Sequence, residues 1–137
     1  MPEHNPRITV INDNEEFLEL MHALLEEDSG YDVTTIDGDT VQDLEPVRQG
    51  RPDLLIIDLR RRTGGVAGWD ILMGVRGDTE LRELPVILCT GDLQGLKEHA
   101  EAIARDPKVA ILEKPFRVPE LEELVQRFVG EPVPSNP

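Results

Sequence analysis

The stretch Pro52-Asp53-Leu54-Leu55-Ile56-Ile57-Asp58 decides the fold of this chain. Four consecutive large apolar residues, without alternation, predict a short strand buried on both faces, as parallel sheets require. Asp58 follows the apolar run directly, at the carboxyl end of the predicted strand. Ligands of open α/β sheets bind in the crevice outside that end, so Asp58 is a candidate for chemistry. Taken alone, this aspartate is better explained as a helix or loop cap.

Three more apolar runs and one stretch rich in β-branched residues predict strands, and the segments between them carry apolar residues at helical spacing. The predicted strands cover residues 7–11, 31–36, 54–57, 85–90 and 109–112, and five helices are predicted within 15–28, 41–50, 69–75, 93–104 and 119–128. This alternation predicts an α/β fold, doubly wound, with one five-stranded parallel sheet covered by helices on both faces. Residues 1–130 are expected to form the one domain, followed by a proline-rich disordered tail over 131–137.

Composition excludes several classes of function. The 137 residues include 28 acids and 14 bases, and the net charge of −14 disfavours direct binding to nucleic acid or to anionic membranes. No apolar run approaches the roughly 20 residues that span a bilayer, and the polar N-terminus has no signal-peptide core. The single Cys89 cannot form an intrachain disulfide and is expected to be buried and inert. We therefore expect a cytoplasmic protein.

Polar side chains follow four of the predicted strands. These are Asn12-Asp13, Asp58, Thr90 and Lys114. Because the carboxyl ends of parallel strands share one edge of the sheet, these side chains are expected to converge. Two carboxylates suit Mg²⁺, a hydroxyl can donate to a phosphoryl oxygen, and an ammonium supplies a point charge. Asp58 is then a candidate nucleophile that would form an acyl phosphate.

At these positions the chain resembles the receiver domain of bacterial two-component response regulators, over nearly its whole length apart from the tail. The matching segments are residues 8–13, 52–58, 84–90 and 113–116. The resemblance implies the flavodoxin-like strand order 2-1-3-4-5. It also implies a phosphoacceptor signalling module rather than an enzyme, in which Asp58 takes a phosphoryl group from a sensor histidine kinase or phosphotransfer protein.

The resemblance further assigns roles to the other strand-end residues. Asp13 and Asp58 would hold Mg²⁺, with the backbone carbonyl of Arg60 as a third ligand. Thr90 and Lys114 would engage the phosphoryl group and pass the change to a face made by helix 4, strand 5 and helix 5, where a downstream protein binds. The Lys114-Pro115 bond would be cis. A monomer or weak dimer is expected.

Several positions depart from the family pattern. Asn12 replaces the first acid of the pair, which weakens the metal site, although its amide can still bind a metal-bound water. Ile111 replaces the usual aromatic residue, so switching is not expected to use an aromatic rotamer, and Gly91 stands where a small residue, most often alanine, is common. Residues 60–68 form a longer loop with three arginines and three glycines. We interpret its arginines as solvated and its glycines as a flexible turn rather than a phosphate cradle.

Two other functions compete with the phosphoacceptor. A degenerate receiver that works unphosphorylated as an interaction scaffold is favoured by Asn12 and Ile111, but opposed by the intact Asp13, Asp58, Thr90 and Lys114. A phosphatase of the haloacid dehalogenase type would use Asp58 as nucleophile. Such sites want a second aspartate two residues later, and Arg60 occupies that place.

Overall fold

The five predicted strands form one parallel sheet. A computed structural model describes residues 5–59 and 67–132 of the chain. The strands are β1 (Arg7–Asn12), β2 (Asp32–Asp37), β3 (Leu54–Ile57), β4 (Val86–Thr90) and β5 (Val109–Glu113). All four neighbouring pairs are parallel, and the spatial order is β2-β1-β3-β4-β5, which confirms the predicted topology.

Six α-helices occur in the described part of the chain. They are α1 (Glu15–His22), α2 (Glu45–Gly50), α3 (Gly68–Gly77), α4 (Leu93–Glu98), α5 (Ala100–Ala104) and α6 (Val118–Val129). One π-helical turn, Ala23–Asp28, prolongs α1, and a 3₁₀ turn covers Gly38–Thr40. Within these ranges, no helix has the length and apolar character to cross a lipid bilayer.

The prediction of five helices is wrong, because the fourth is two helices separated at His99. Its ψ of 14° lies far from the helical value of about −42°, so the α-helical path is interrupted there. The imidazole of His99 stacks on the indole of Trp69, with ring centroids 3.8 Å apart and planes 9° apart. Of the apolar stripe that predicted one helix, Ile103 is buried and Leu93 is 58% exposed.

Strand residues alternate between two core layers, one on each face of the sheet. Val10, Ile56 and Cys89 belong to a layer closed by α1 and α6. Their chain neighbours Ile11 and Ile57 belong to a layer closed by α2, α3 and α5. Because both faces are covered, both faces of a central strand are mainly apolar, which explains the uninterrupted apolar run of β3.

Candidate functional site

The carboxyl edge of the sheet brings Asn12 and Asp58 side by side. Ile11 and Ile57 are register partners in neighbouring strands, so the next residue of each strand reaches the same level. Val10, Ile56 and Leu112 all face the core layer of α1 and α6. Since side chains alternate along a strand, residues two positions later project on that same face. By this parity Asn12, Asp58 and Lys114 share one side of the sheet edge.

Asp58 and Lys114 form an ion pair at this edge. The Lys114 ammonium donates to Asp58 Oδ2 over 3.0 Å, and the two side chains are 29% and 12% exposed. A charge-assisted hydrogen bond between half-buried groups is stronger than one at the open surface. The Lys114 ammonium also stands over the ring of Phe17, 4.3 Å from its centroid. Lys114 is thus directed at the carboxylate rather than into solvent.

Thr90 is fully buried at the end of β4. Its hydroxyl oxygen accepts the backbone N–H of Asp92 over 3.0 Å, which leaves the hydroxyl proton for donation. Its backbone carbonyl accepts the N–H of Lys114 over 2.9 Å. Thr90 and Lys114 are therefore joined through the backbone between β4 and the end of β5. The Lys114-Pro115 peptide bond is cis, as the family resemblance implied.

The loop after β1 holds the remaining polar residues of the edge. Asn12 is 3% exposed, and its Oδ1 accepts the backbone N–H of Asn14 over 2.8 Å. Asp13 is exposed and is one of the residues that line an open groove of about 700 Å³ between α1 and edge strand β2. The groove is acidic, with Glu19 and Asp37 among the residues that line it.

The donor set at the edge suits a hard cation. Asp13 and Asp58 offer carboxylate oxygens, and Mg²⁺ usually takes one or two carboxylates while keeping several waters. Within residues 5–59 and 67–132, no three His, Cys, Asp or Glu side chains form a group that could hold a metal ion by themselves. Arg60, expected to offer its carbonyl, lies outside the described residues, as do Gly64 and Gly65.

Two residues that contact the site were not predicted from the sequence. Phe17 is one of the apolar residues at helical spacing within the predicted helix 15–28, a pattern that gives no sign of its ring lying under Lys114. Gly68 was interpreted as part of a flexible turn, which is wrong, because it is the first residue of α3 and packs on the backbone of Asp58. A Cβ at position 68 would overlap the Asp58 carbonyl oxygen and lie 2.8 Å from the carbonyl carbon. The available sequence signal was the position of Gly68, a glycine directly before the apolar residues of the predicted helix that follows β3.

Comparisons with known proteins agree with this architecture. Residues 8–126 match the sequence model of the response regulator receiver domain. The polar-differentiation response regulator DivK of Brucella anthropi is 30% identical over 125 residues, which span 90% of this chain and 96% of DivK. The chain belongs to the response regulator receiver domain family of two-component systems.

Solved structures show the same fold. A response regulator receiver protein from Pseudomonas putida superposes with a TM-score of 0.73 at 27% identity, over 92% of this chain and 99% of that one. The receiver domain of a sensor histidine kinase from Pseudomonas aeruginosa, which has a magnesium ion coordinated in its active site cleft, superposes with a TM-score of 0.72 at 26% identity. That match covers 92% of this chain and 98% of the kinase receiver.

Proposed function

We propose that this receiver domain accepts a phosphoryl group on Asp58 from the phosphohistidine of a sensor histidine kinase or phosphotransfer protein. The observation that carries the proposal is the Lys114–Asp58 pair, 3.0 Å apart at the carboxyl edge of the sheet. An Asp58 carboxylate oxygen would attack phosphorus, the O–P bond would form, and the N–P bond to the donor imidazole would break. The product is an acyl phosphate.

Asp13 and Asp58 are the residues proposed to hold Mg²⁺, with Asn12 contacting a metal-bound water. When bound, the ion supplies neutralisation of charge on the phosphoryl oxygens. Lys114 can follow the phosphoryl group from its present place on Asp58, and the Thr90 hydroxyl can donate to a second phosphoryl oxygen. The magnesium site of the Pseudomonas aeruginosa receiver supports this assignment by family likeness.

The output is proposed to run through protein contacts on the face made by α4, α5, β5 and α6. Movement of Thr90 and Lys114 reaches this face directly, because the hydrogen bond from Lys114 N–H to Thr90 O joins β4 to the end of β5. Three large apolar residues of this face are exposed: Leu93 at 58%, Ile111 at 40% and Val118 at 39%.

Intact mass after incubation with acetyl phosphate and Mg²⁺ tests the proposal. The wild-type chain should gain about 80 Da, the mass of one phosphoryl group, as an acid-stable and base-labile adduct. Asp58→Asn should abolish the adduct. Asp53→Asn is the matched control, because Asp53 stands at the opposite end of β3, where it accepts the Arg7 N–H, and its loss should leave the adduct intact. An adduct that survives in Asp58→Asn would contradict the assignment.

A scaffold that works unphosphorylated is the second candidate. The observation that favours it is Asn12, a neutral residue whose Oδ1 is used by the backbone N–H of Asn14. A wild-type chain that gains no adduct at saturating acetyl phosphate and Mg²⁺ would support the scaffold against the phosphoacceptor.

A further inference from the structure

Lys114 is held from two sides. Its ammonium contacts the Asp58 carboxylate at 3.0 Å and lies 4.3 Å from the centroid of the Phe17 ring. A cation within about 6 Å of an aromatic face is attracted by the ring quadrupole. The Phe17 ring is half-buried against the core layer of α1 and α6, so it is a fixed platform rather than a mobile surface side chain.

A series of hydrogen bonds fixes the platform. Asn12 Oδ1 accepts the Asn14 N–H over 2.8 Å, and Asn14 Oδ1 accepts the Phe17 N–H over 3.0 Å as the N-cap of α1. Side-chain caps of this kind set the start and entry direction of a helix. The first turn of α1, and with it the ring of Phe17, is therefore tied to the same strand end that carries Asn12 beside Asp58.

The charges at the carboxyl edge of the sheet explain why the Phe17 ring is useful beside Lys114. With Asn12 neutral, Asp58 is the acid that holds Lys114, and that oxygen must release the ammonium when it attacks phosphorus. A contact that does not depend on the carboxylate keeps the ammonium in place through this change. Holding a reacting partner in position lowers the barrier by reducing the loss of freedom in the transition state.

We propose that Phe17 is a positioning residue, whose ring holds the Lys114 ammonium beside Asp58 while the phosphoryl group is transferred. This inference rests on the proposed function of Asp58. Phe17→Leu, which keeps apolar bulk but removes the quadrupole, should slow adduct formation about 3- to 10-fold, within the range of one cation–π contact. Phe17→Tyr keeps the ring and should stay within about 2-fold of wild type.

The experiment compares these variants at subsaturating acetyl phosphate with saturating Mg²⁺, and follows the adduct by intact mass. Binding of beryllofluoride in the presence of Mg²⁺, measured by calorimetry, gives a second readout without group transfer. Phe128→Leu is the matched control, since Phe128 is a half-buried phenylalanine of the same core layer on α6. It should lower the denaturant midpoint as Phe17→Leu does, yet leave the phosphorylation rate and beryllofluoride affinity unchanged.

A double-mutant cycle tests the charge argument. Asn12→Asp preserves an oxygen for the Asn14 N–H and adds a second carboxylate beside Asp58. Lys114 then has another partner, so the effect of Phe17→Leu should shrink to less than about 2-fold in that background. An undiminished effect would overturn the charge argument.

Failure of the inference differs from failure of the proposed function. If the wild-type chain forms no adduct, the proposed function fails and this inference falls with it. If the wild-type chain is phosphorylated on Asp58 but Phe17→Leu reacts at the same rate, or Phe17→Tyr slows as much as Phe17→Leu, only the positioning role of Phe17 is overturned.

Discussion

The neutral side chain of Asn12 changes the electrostatic balance around Asp58. Two like charges about 5 Å apart, at an effective dielectric constant of about 20, repel by roughly 3 kcal/mol. An acid at position 12 would add such a repulsion beside Asp58, because the two positions are level in neighbouring strands. The same acid would attract a divalent cation. We therefore expect Asn12 to reduce repulsion in the metal-free site and, at the same time, to weaken metal binding.

Asn12→Asp should tighten Mg²⁺ about 5- to 30-fold, which corresponds to about 1–2 kcal/mol after screening. Asn12→Asp should also lower the melting temperature without metal, because the added carboxylate is repelled by those of Asp13 and Asp58. Calorimetric titration gives the affinity. Asn14→Asp is the control: it adds the same charge at an exposed cap two positions later, and should tighten Mg²⁺ less. Equal affinity in wild type and Asn12→Asp would mean that residue 12 does not tune the site.

Gly68 is the residue where a single methyl group reaches the site. A Cβ there would overlap the Asp58 carbonyl, so Gly68→Ala must displace either the start of α3 or the end of β3. Overpacking of this kind costs about 1–3 kcal/mol, and we expect phosphorylation of Asp58 to fall with the lost alignment. Gly77→Ala, at the end of the same helix with nothing within 4 Å of its Cβ, is the control. A denaturant midpoint for Gly68→Ala equal to that of Gly77→Ala would show that the contact is not tight.

The site residues that could be predicted from the sequence are those whose positions are determined by the ends of the strands. Asp58, Thr90 and Lys114 were predicted to converge because each stands at the end of a predicted strand. The structure pairs Lys114 with Asp58 through its side chain and with Thr90 through its backbone. Phe17 and Gly68 were not predicted, because their roles depend on contacts with β3 and β5 across the fold. A phenylalanine at helical spacing looks the same in sequence whether its ring covers a core or a lysine.

Among the elements, strands were predicted more accurately than helices. Each predicted strand agrees with the observed one to within one residue at either end. Burial on both faces makes β3 and β4 continuous apolar runs, which is a strong local signal. The edge strand β2 is mostly exposed, and it was predicted from its β-branched residues instead. The break at His99 gave no such signal, because histidine is tolerated inside helices and because the Trp69–His99 stack joins α3 to the residue between α4 and α5.

One ion pair ties α2 to the end of α3. Arg48 Nη2 donates to Asp78 Oδ1 over 2.7 Å, and the other Asp78 oxygen accepts the backbone N–H groups of Glu80 and Leu81, each over 3.1 Å. The Arg48 hydrogen bond, followed by the backbone donors, lowers the pKa of Asp78 below its ordinary value of 3.8, although burial opposes the shift. Asp78 therefore stabilises the fold when ionised.

The sign of the pH dependence follows. A carboxyl group whose pKa is lowered by folding contributes stability above its unfolded pKa and loses it as pH falls through the folded pKa. The denaturant midpoint of wild type should therefore fall more steeply than that of Asp78→Asn between about pH 5 and about pH 3. Glu83→Gln, which removes a 77% exposed partner of Lys108, should keep the wild-type profile. Parallel acid profiles for wild type and Asp78→Asn would contradict the role of this tie.

For the whole molecule, the sheet separates two core layers, and its central strands contribute side chains to both of them. β4 contributes Cys89 to one layer and Leu88 to the other. It is also hydrogen-bonded on both edges, to β3 and β5. Exposing a side chain of β4 thus requires both layers and two ladders to open, which amounts to global unfolding.

The accessibility of the Cys89 thiol can be used to measure whether β4 opens only on global unfolding. Cys89 is the only cysteine of the chain, 1% exposed, and burial raises the pKa of its thiol to about 12, although Lys114 opposes the shift. Thiol reagents need an accessible thiolate, so labelling of Cys89 near about pH 8 should be negligible in the native state. As urea is added, the extent of labelling should follow the unfolded fraction measured by circular dichroism. Labelling that proceeds freely without unfolding would show that β4 opens locally.

The same thiol reports on the proposed metal site through linkage. A ligand that binds only the folded chain stabilises it by RT ln(1 + [L]/Kd). Where labelling of Cys89 follows the unfolding equilibrium, Mg²⁺ at about 100 times its Kd should therefore slow labelling about 100-fold. Asp13→Asn removes one proposed ligand and should lose most of this protection, whereas Glu83→Gln removes an exposed acid elsewhere and should retain it. Equal slowing by Mg²⁺ in wild type and Asp13→Asn would mean that the ion acts by general screening, and would remove Asp13 from the metal site.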